Sequence, residues 1–308
     1  MIASVQSKRP PAISDDLRAF LKDLGSGIPI TMLVAPAARA VMPDLPCVLG
    51  FLRSLGVRTF FPVLPYADIT VWVYYRLLTS NPAGPIISSA CAGMNRYITR
   101  KHPNMAPEPM VYSPLLCAAR YLKNYLGLDG AFAFLSPCSQ KRFEFNVAGE
   151  NMIRYNVTIA ALSNWLSVNH PDLHKYPPAD TGPAAEYADR DIVNFSQGLT
   201  VAAFGSISDV LACLLPNLDC TVTQGINDAE RFFAETAAGR KRPAVFEPYA
   251  CIGGCANGSG IRGMTRCTQS TPHTGNFLVQ NKKAAREAIL ERFRHFDAAL
   301  NMGDFYYA

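Results

Sequence analysis

Nine cysteines lie among the 308 residues of this chain, and four of them stand where chemistry could be done. Cys251 and Cys255 sit in "EPYACIGGCANGSG", beside Gly253, Gly254, Gly258 and Gly260. Cys91 follows the apolar run of "GPIISSACAG", and Cys138 follows Pro137 in "GAFAFLSPCSQ". Thiolates act as nucleophiles, disulfide partners or soft metal ligands. The opening "MIASVQSKRPPAISDD" has no apolar signal core, so a reducing, cytoplasmic setting is expected, where thiols serve as ligands, catalysts or core filler. An odd count also suits complete disulfide pairing poorly.

Four thiolates are the usual ligand set of an iron–sulfur cluster or a structural zinc. Zinc modules typically draw on two close pairs. Here one close pair joins two singletons from far upstream, which suits a larger inorganic body held inside a fold. The glycines would let backbone approach the inorganic sulfides and offer them N–H groups. Lys141 and Arg142, just after Cys138, would offset the negative charge of such a cluster. Cys47, Cys117, Cys213 and Cys220 read as core filler, and Cys267 has no assignment.

Other motifs carry less. "CANGSG" has the glycines of a phosphate loop without its Gly-Lys-Ser/Thr. His170 and His174 have metal-like spacing, but Pro171 and a loop-like setting make them surface histidines. Asp68 and Glu144 read as exposed-helix or salt-bridge residues first, and as acid–base groups second.

The elements that must place these thiols follow from hydrophobic periodicity. "DDLRAFLKDLG" predicts an amphipathic helix closed by Gly25, and "IPITMLVAPAARA" a buried strand entering a loop at Pro36. "CVLGFLRSLGV" predicts a helix and "RTFFPVL" a strand, while "ADITVWVYYRLL" fits either. "PLLCAARYLKNYLG" reads as a helix, and "VTIAALSNWLSV" as a strand turning helical. "HPDLHKYPPADTGPAAEYADRD" reads as a long loop, and "ISDVLACLLPNL" and "KKAAREAILERFRHFDAAL" as helices. Strands alternating with helices give an α/β class with mostly parallel sheets flanked by helices. Cys91, Cys138 and the Cys251–Cys255 pair then fall at strand exits, where ligands gather in such sheets.

Composition narrows the function further. With 49% hydrophobic and 17% charged residues and a mean hydropathy of +0.07, the chain has no run long enough for a membrane span. A net charge of +5 is mild, and its one dense basic knot, "GRKRP", reads as a solvated loop, so no nucleic-acid partner is expected.

Three segments together carry a family likeness. "SSACAGM" (88–94), "SPCSQKRFE" (136–144) and "ACIGGCANGSG" (250–260) resemble, in order, the signature motifs of [FeFe]-hydrogenase catalytic (H-cluster) domains. "VAPAARA", "ADIT" and "YSPLL" resemble further segments of that family. The resemblance covers about Thr31 to Gly260. It implies two α/β lobes with the cofactor in the cleft between them, residues 1–308 forming one domain, with no ferredoxin-like N-terminal part and a helical tail over 268–308. It implies a [4Fe–4S] cubane on Cys91, Cys138, Cys251 and Cys255. Cys255 would bridge to a two-iron unit carrying carbon monoxide, cyanide and a dithiolate bridge. Lys141 would bond one cyanide, backbone at Pro36 and Ala37 would meet the other, and Ser113 and Gly254 would line the cofactor. Hydrogen and protons would be the substrates. An external electron carrier such as ferredoxin, or a separate partner protein, would supply electrons.

The departures from the family pattern concern proton transfer. Where hydrogen-producing members have a cysteine before the first ligand, this chain has Ala90. Two glutamates of their relay correspond to Tyr74 and Leu77, and a serine falls near Pro109 or Met110. Ser136 replaces a methionine beside the two-iron unit, and Leu115 a glutamine. Ligands kept without the relay resemble sensory members, implying hydrogen sensing or slow turnover with residual transfer through water or Ser136. The alternatives are a cubane-only assembly factor or electron carrier, and a binding module that uses the thiols for zinc.

Overall fold

The computed structural model describes residues 15–80, 85–107, 110–147, 151–169, 171–182, 206–240, 242–264 and 282–307. Cys267, His170 and Pro109, and all of the tail before residue 282, lie outside these. The described residues form two parallel sheets. The larger contains β1 (Ile30–Val34), β2 (Val57–Pro62), β4 (Ala131–Ser136) and β5 (Ile153–Thr158), in the order β2-β1-β4-β5. The smaller contains β3 (Ile86–Ile87), β6 (Cys220–Gln224) and β7 (Val245–Tyr249), in the order β3-β7-β6. Parallel neighbours need crossover connections, which the helices provide. All five residues of β1 are buried, as a continuous apolar run inside a covered sheet should be.

Helix α1 (Asp15–Gly25) turns Leu17, Phe20 and Leu24 inward, and Phe20 meets the ring of Tyr155 edge-on. The strand expected to end in a loop at Pro36 instead enters a short helix, α2 (Pro36–Val41). Proline at the first helical position loses no hydrogen bond there, so it starts this helix rather than breaking it. α3 (Leu45–Ser54) follows, and the ambiguous "ADITVWVYYRLL" is helical, as α4 (Ala67–Ser80). Three helices sit close to the thiols: α5 (Ala92–Lys101), α6 (Pro114–Asn124) and α7 (Lys141–Val147). The predicted change from strand to helix occurs at α8 (Ile159–Asn169), followed by α9 (Ser206–Leu214), α10 (Ile226–Ala237) and α11 (Lys282–Ala299).

α11 is part of the core. Ala285, Ile289, Phe293 and Phe296 join the same apolar cluster as α4 and α6. Arg292 pairs with Asp68, and Trp72 Nε1 donates to Asp297 at 2.9 Å. The chain after α11 runs antiparallel past residues 110–112, with Tyr112 N donating to Phe305 O at 2.8 Å and Tyr307 N to Met110 O at 2.9 Å. Among the described residues no helix is long and apolar enough to cross a membrane.

Register decides which loops meet. Ile87 pairs with Phe246, which brings Cys91 level with Ala250, and Ala250 N lies 3.5 Å from Cys91 Sγ. In the other sheet Val34 pairs with Leu135, so Pro36 and Ala37 leave the sheet beside Pro137 and Cys138.

Candidate metal centre

Cys91 and Cys138 come from one sheet each, and the Cys251–Cys255 loop follows β7. Cys91 is the residue before α5, and its carbonyl accepts from Asn95 N at 2.9 Å. Cys138 lies in a turn tied by Ser136, whose hydroxyl donates to Cys138 O at 2.9 Å and accepts from Cys138 N at 3.1 Å. Asn156 of β5 also donates to Cys138 O, at 3.0 Å. Gly254 N donates to Cys251 O at 3.0 Å, and Gln224 of β6 accepts from Gly253 N at 3.1 Å.

The glycines have two structural jobs. Gly253 and Gly254 have φ of 77° and 56°, a left-handed turn that a side chain would strain. Gly258 and Gly260 let the Pro137–Cys138 loop approach: a Cβ on Gly258 would stand 2.2 Å from Pro137 O, and Gly260 N donates to that oxygen at 2.8 Å. Ser139 and Ser259 join the same two loops, Oγ to Oγ at 2.7 Å. The close approach that the glycines permit is therefore to protein backbone from the other sheet.

The four thiols share one electrostatic neighbourhood. Burial pushes Cys255 up to about 12, with Cys91, Cys138 and Cys251 adding to the shift and Lys141 opposing it. Burial also raises Cys91, and Cys138 raises it further. Cys251 is raised by burial and then by Cys138. Burial therefore keeps these groups as thiols in the absence of metal, and a bound cationic cluster would instead favour the thiolates. Among the described residues no three His, Cys, Asp or Glu groups gather round a single ion. A cuboidal cluster asks something different, one thiolate for each of four irons, and the donor set fits it.

Lys141 is buried beside the thiols. Its ammonium pairs with Glu144 and donates to Ser113 Oγ at 3.0 Å and to Ala90 O at 3.3 Å. Burial alone would pull Lys141 down. The Glu144 carboxylate overrides this and holds it above the ordinary lysine range, with Cys255 and Cys138 adding to the effect. Ser113 caps α6, accepting from Leu116 N at 3.5 Å. The turn 254–257, which carries Gly254 and Cys255, packs against α2 and hence near Pro36 and Ala37.

Other residues differ from their sequence reading. Asp68 and Glu144 are salt-bridge residues as expected but are buried, not exposed, because their partners Arg292 and Lys141 are buried with them. Cys117 is fully buried, while Cys47, Cys213 and Cys220 are partly buried. His174 is exposed, 3.9 Å from Cys47, and Arg240 and Arg242 of the basic knot are exposed too. Tyr74 is buried, its hydroxyl accepting from Ser89 N at 2.8 Å, and Leu77 packs on the core. Sequence reasoning missed the buried Glu247, which accepts from Ser208 N at 2.8 Å and from Tyr249. Burial and Glu247 raise Tyr249 well above its ordinary range, and Cys255 and Cys91 add to this. The "FEPYAC" run held the signal: an acidic residue inside an apolar strand two positions before a tyrosine and four before a thiol.

Residues 29–259 match the family model described as iron only hydrogenase large subunit, C-terminal domain. No curated protein matches the chain. Solved structures share its fold. An apo [FeFe]-hydrogenase HydA1 from Chlamydomonas reinhardtii, with a cysteine-to-histidine change, aligns at TM-score 0.65 and 17% identity, over 96% of this chain and 98% of that one. A glutamate-to-glutamine variant of the same protein gives 0.68 and 15%, with the same coverage. A HydA structure described as revealing stepwise H-cluster assembly gives 0.62 and 18%, over 94% of this chain and 91% of the other. The structural likeness establishes the fold, and the family model spans most of the sequence, so this chain belongs to the iron-only hydrogenase family, through the C-terminal domain of its large subunits.

Proposed function

We propose that the chain holds a [4Fe–4S] cubane on Cys91, Cys138, Cys251 and Cys255 and carries a two-iron unit bridged through Cys255. On this reading the whole chain is one functional domain that binds hydrogen, for sensing or slow turnover. The observation that carries the proposal is the meeting of four thiols and one buried lysine in a single neighbourhood. When bound, the two-iron unit would supply the hydrogen chemistry. The protein's part is then to ligate, orient and balance charge.

The thiolates fix the cubane from both sheets. Lys141, steadied by Ser113 and Glu144, places a fixed cation beside Cys138 and Cys255, where cyanide or sulfide charge would lie. Pro36 and Ala37 bring the start of α2 to the turn that carries Cys255. The sensing or slow-turnover reading rests on what surrounds the first ligand. Ala90 has no side-chain proton to give, Leu77 is apolar, and the Tyr74 hydroxyl is engaged with Ser89. Loss of general acid–base help of this kind costs roughly 10² to 10⁴ in rate. Residual transfer would run through water or through Ser136, whose hydroxyl donates to Cys138 O. An external electron carrier of the ferredoxin type would serve the cubane.

The test is infrared spectroscopy on protein reconstituted with the cubane anaerobically, loaded with a synthetic two-iron precursor and desalted. Carbonyl and cyanide bands that survive desalting and shift under hydrogen are expected. A brown protein without such bands would give the site to the cubane alone, as an assembly factor or electron carrier.

A further inference from the structure

The loop that carries Cys251 and Cys255 holds an apolar side chain out in water. Ile252 directly follows Cys251 and is 76% exposed, more than any other large hydrophobic among the described residues. Its backbone is tied down: Ile252 O accepts from Asn257 Nδ2 at 3.1 Å, and the next N–H, of Gly253, donates to Gln224 at 3.1 Å. Its side chain rests on Gly225, where an added Cβ would stand 3.0 Å from Ile252 Cγ1. The loop therefore fixes Ile252 in its exposed position. A second exposed apolar group, Phe143, lies across the junction of the sheets. Gly93 of α5 joins the two regions, because a Cβ there would stand 3.2 Å from Ala250 Cβ and 3.5 Å from Gln140 Cγ. Gln140 accepts from Arg96 at 3.2 Å, and the Arg96 guanidinium lies 3.6 Å from the centre of the Phe143 ring, which is 40% exposed.

The charge around these groups has one sign. Residues 88–101, 136–143 and 248–264, which surround the thiols, contain no Asp or Glu. Of their cations, Lys141 is buried on Glu144, and Arg142 turns to Asp16 at 3.3 Å. Arg100, Lys101 and Arg262 are exposed, Arg96 is partly exposed, and Arg100 lies one turn beyond Arg96 on α5. The neighbouring acid, Glu230 of α10, is taken up by Tyr97 and His102.

We propose that Ile252 and Phe143 form the apolar centre, and Arg96 and Arg100 the cationic rim, of a docking face for an acidic electron-carrier protein. This rests on the cubane reading given above. An apolar centre inside a polar rim, with aromatic residues and arginine enriched, is the usual anatomy of a protein interface. A carrier with carboxylates round its own cluster matches the sign of this rim, and opposite charges speed encounter. A partner seated on Ile252 stands one residue from Cys251, so the route to the cubane runs through that ligand. One electron passes, the carrier is oxidised and the cubane reduced, and no bond is made or broken. The apolar centre separates this face from a general polyanion site, which charge alone would serve.

The probe is an oxidised plant-type [2Fe–2S] ferredoxin, titrated calorimetrically into the full chain. Binding is expected at low salt and should weaken about tenfold or more between about 0.05 and 0.5 M salt. Ile252→Ser should weaken it about tenfold through lost apolar burial, and Arg100→Glu by about as much through charge reversal. Val168→Ser, at an exposed apolar residue of α8, should leave it unchanged. Wild-type affinity in Ile252→Ser would mark a general polyanion surface and overturn the proposal, as would wild type that binds no ferredoxin at low salt. In reconstituted protein, stopped-flow reduction of the cubane by reduced ferredoxin should slow in Ile252→Ser and Arg100→Glu. Reduction by the methyl viologen radical, which needs no docking face, should not. A chain that takes up no iron would sink the cubane reading, and the titration would still decide the docking face.

Discussion

The two sheets contribute unequally to the site. The larger one supplies a single thiol, Cys138, from a turn fixed by Ser136, Asn156 and the loop at Gly258–Gly260. The smaller supplies three, Cys91 after β3 and Cys251 and Cys255 after β7, the last two on a loop shaped by the left-handed Gly253 and Gly254. The larger sheet is buried along nearly its full length, whereas β6 at the edge of the smaller one is mostly only partly buried and β3 spans two residues. The better-packed sheet thus provides an anchor, and the lighter one carries most of the proposed ligands. The difference teaches that the ligand set depends on the junction between sheets as much as on either sheet.

That division can be broken by paired core changes. Phe132→Ala in the larger sheet and Phe246→Ala in the smaller should each cost about 3–5 kcal/mol, measured by denaturant unfolding. Phe246 stacks on Phe232 at 3.7 Å and precedes the Cys251–Cys255 loop, whereas Phe132 lies at the far end of β4 from Cys138. Iron bound after reconstitution should therefore fall further in Phe246→Ala. Equal losses in the two variants would remove the distinction between anchor and ligand carrier.

A smaller perturbation addresses the junction directly. Gly258→Ala places a methyl 2.2 Å from Pro137 O and must push the two loops apart. A cost of roughly 1–3 kcal/mol is expected, with weaker retention of iron through a desalting column. Gly127→Ala serves as the control, because a Cβ there meets nothing within 4 Å although its φ of 68° still strains the substitution. It should lose stability but keep its iron.

The smallest effect is a pH dependence remote from the thiols. Burial raises Asp68 from 3.8 to about 7, although Arg292 pulls it down. Between those two values the folded protein binds more protons than the unfolded chain, so stability falls as pH rises through that window. Asp68→Asn should lack this component of the slope in urea titrations at several pH values. An unchanged slope would show that the ion pair with Arg292 keeps Asp68 charged throughout.

Much of this arrangement is legible in the sequence because it is local. Apolar runs ending in Pro137–Cys138 and in Ala250–Cys251 mark strand exits, and the turn from strand to helix near Thr158 is visible in periodicity alone. The rest depends on distant partners. Asp68 reads as an exposed helix residue until Arg292, 224 positions away, is brought against it. Glycines at 258 and 260 suggest an approach to sulfide, but only the fold shows Pro137 standing in that space. The β6–α10 unit escapes notice because "CTVTQ" is short and half polar, and α5 because its apolar residues are few. The tail reads only as helical, yet Phe293, Phe296 and Phe305 within it complete the core.

The central claim is that four thiols, one from the larger sheet and three from the smaller, hold one cubane. It is tested most directly by counting iron and acid-labile sulfide per chain after anaerobic reconstitution, in wild type and in Cys91→Ala, Cys138→Ala, Cys251→Ala and Cys47→Ala. The account predicts about four of each in wild type and Cys47→Ala, with a marked loss in the other three. Wild-type iron content in Cys138→Ala would contradict it, because the larger sheet would then have no part in holding the cluster.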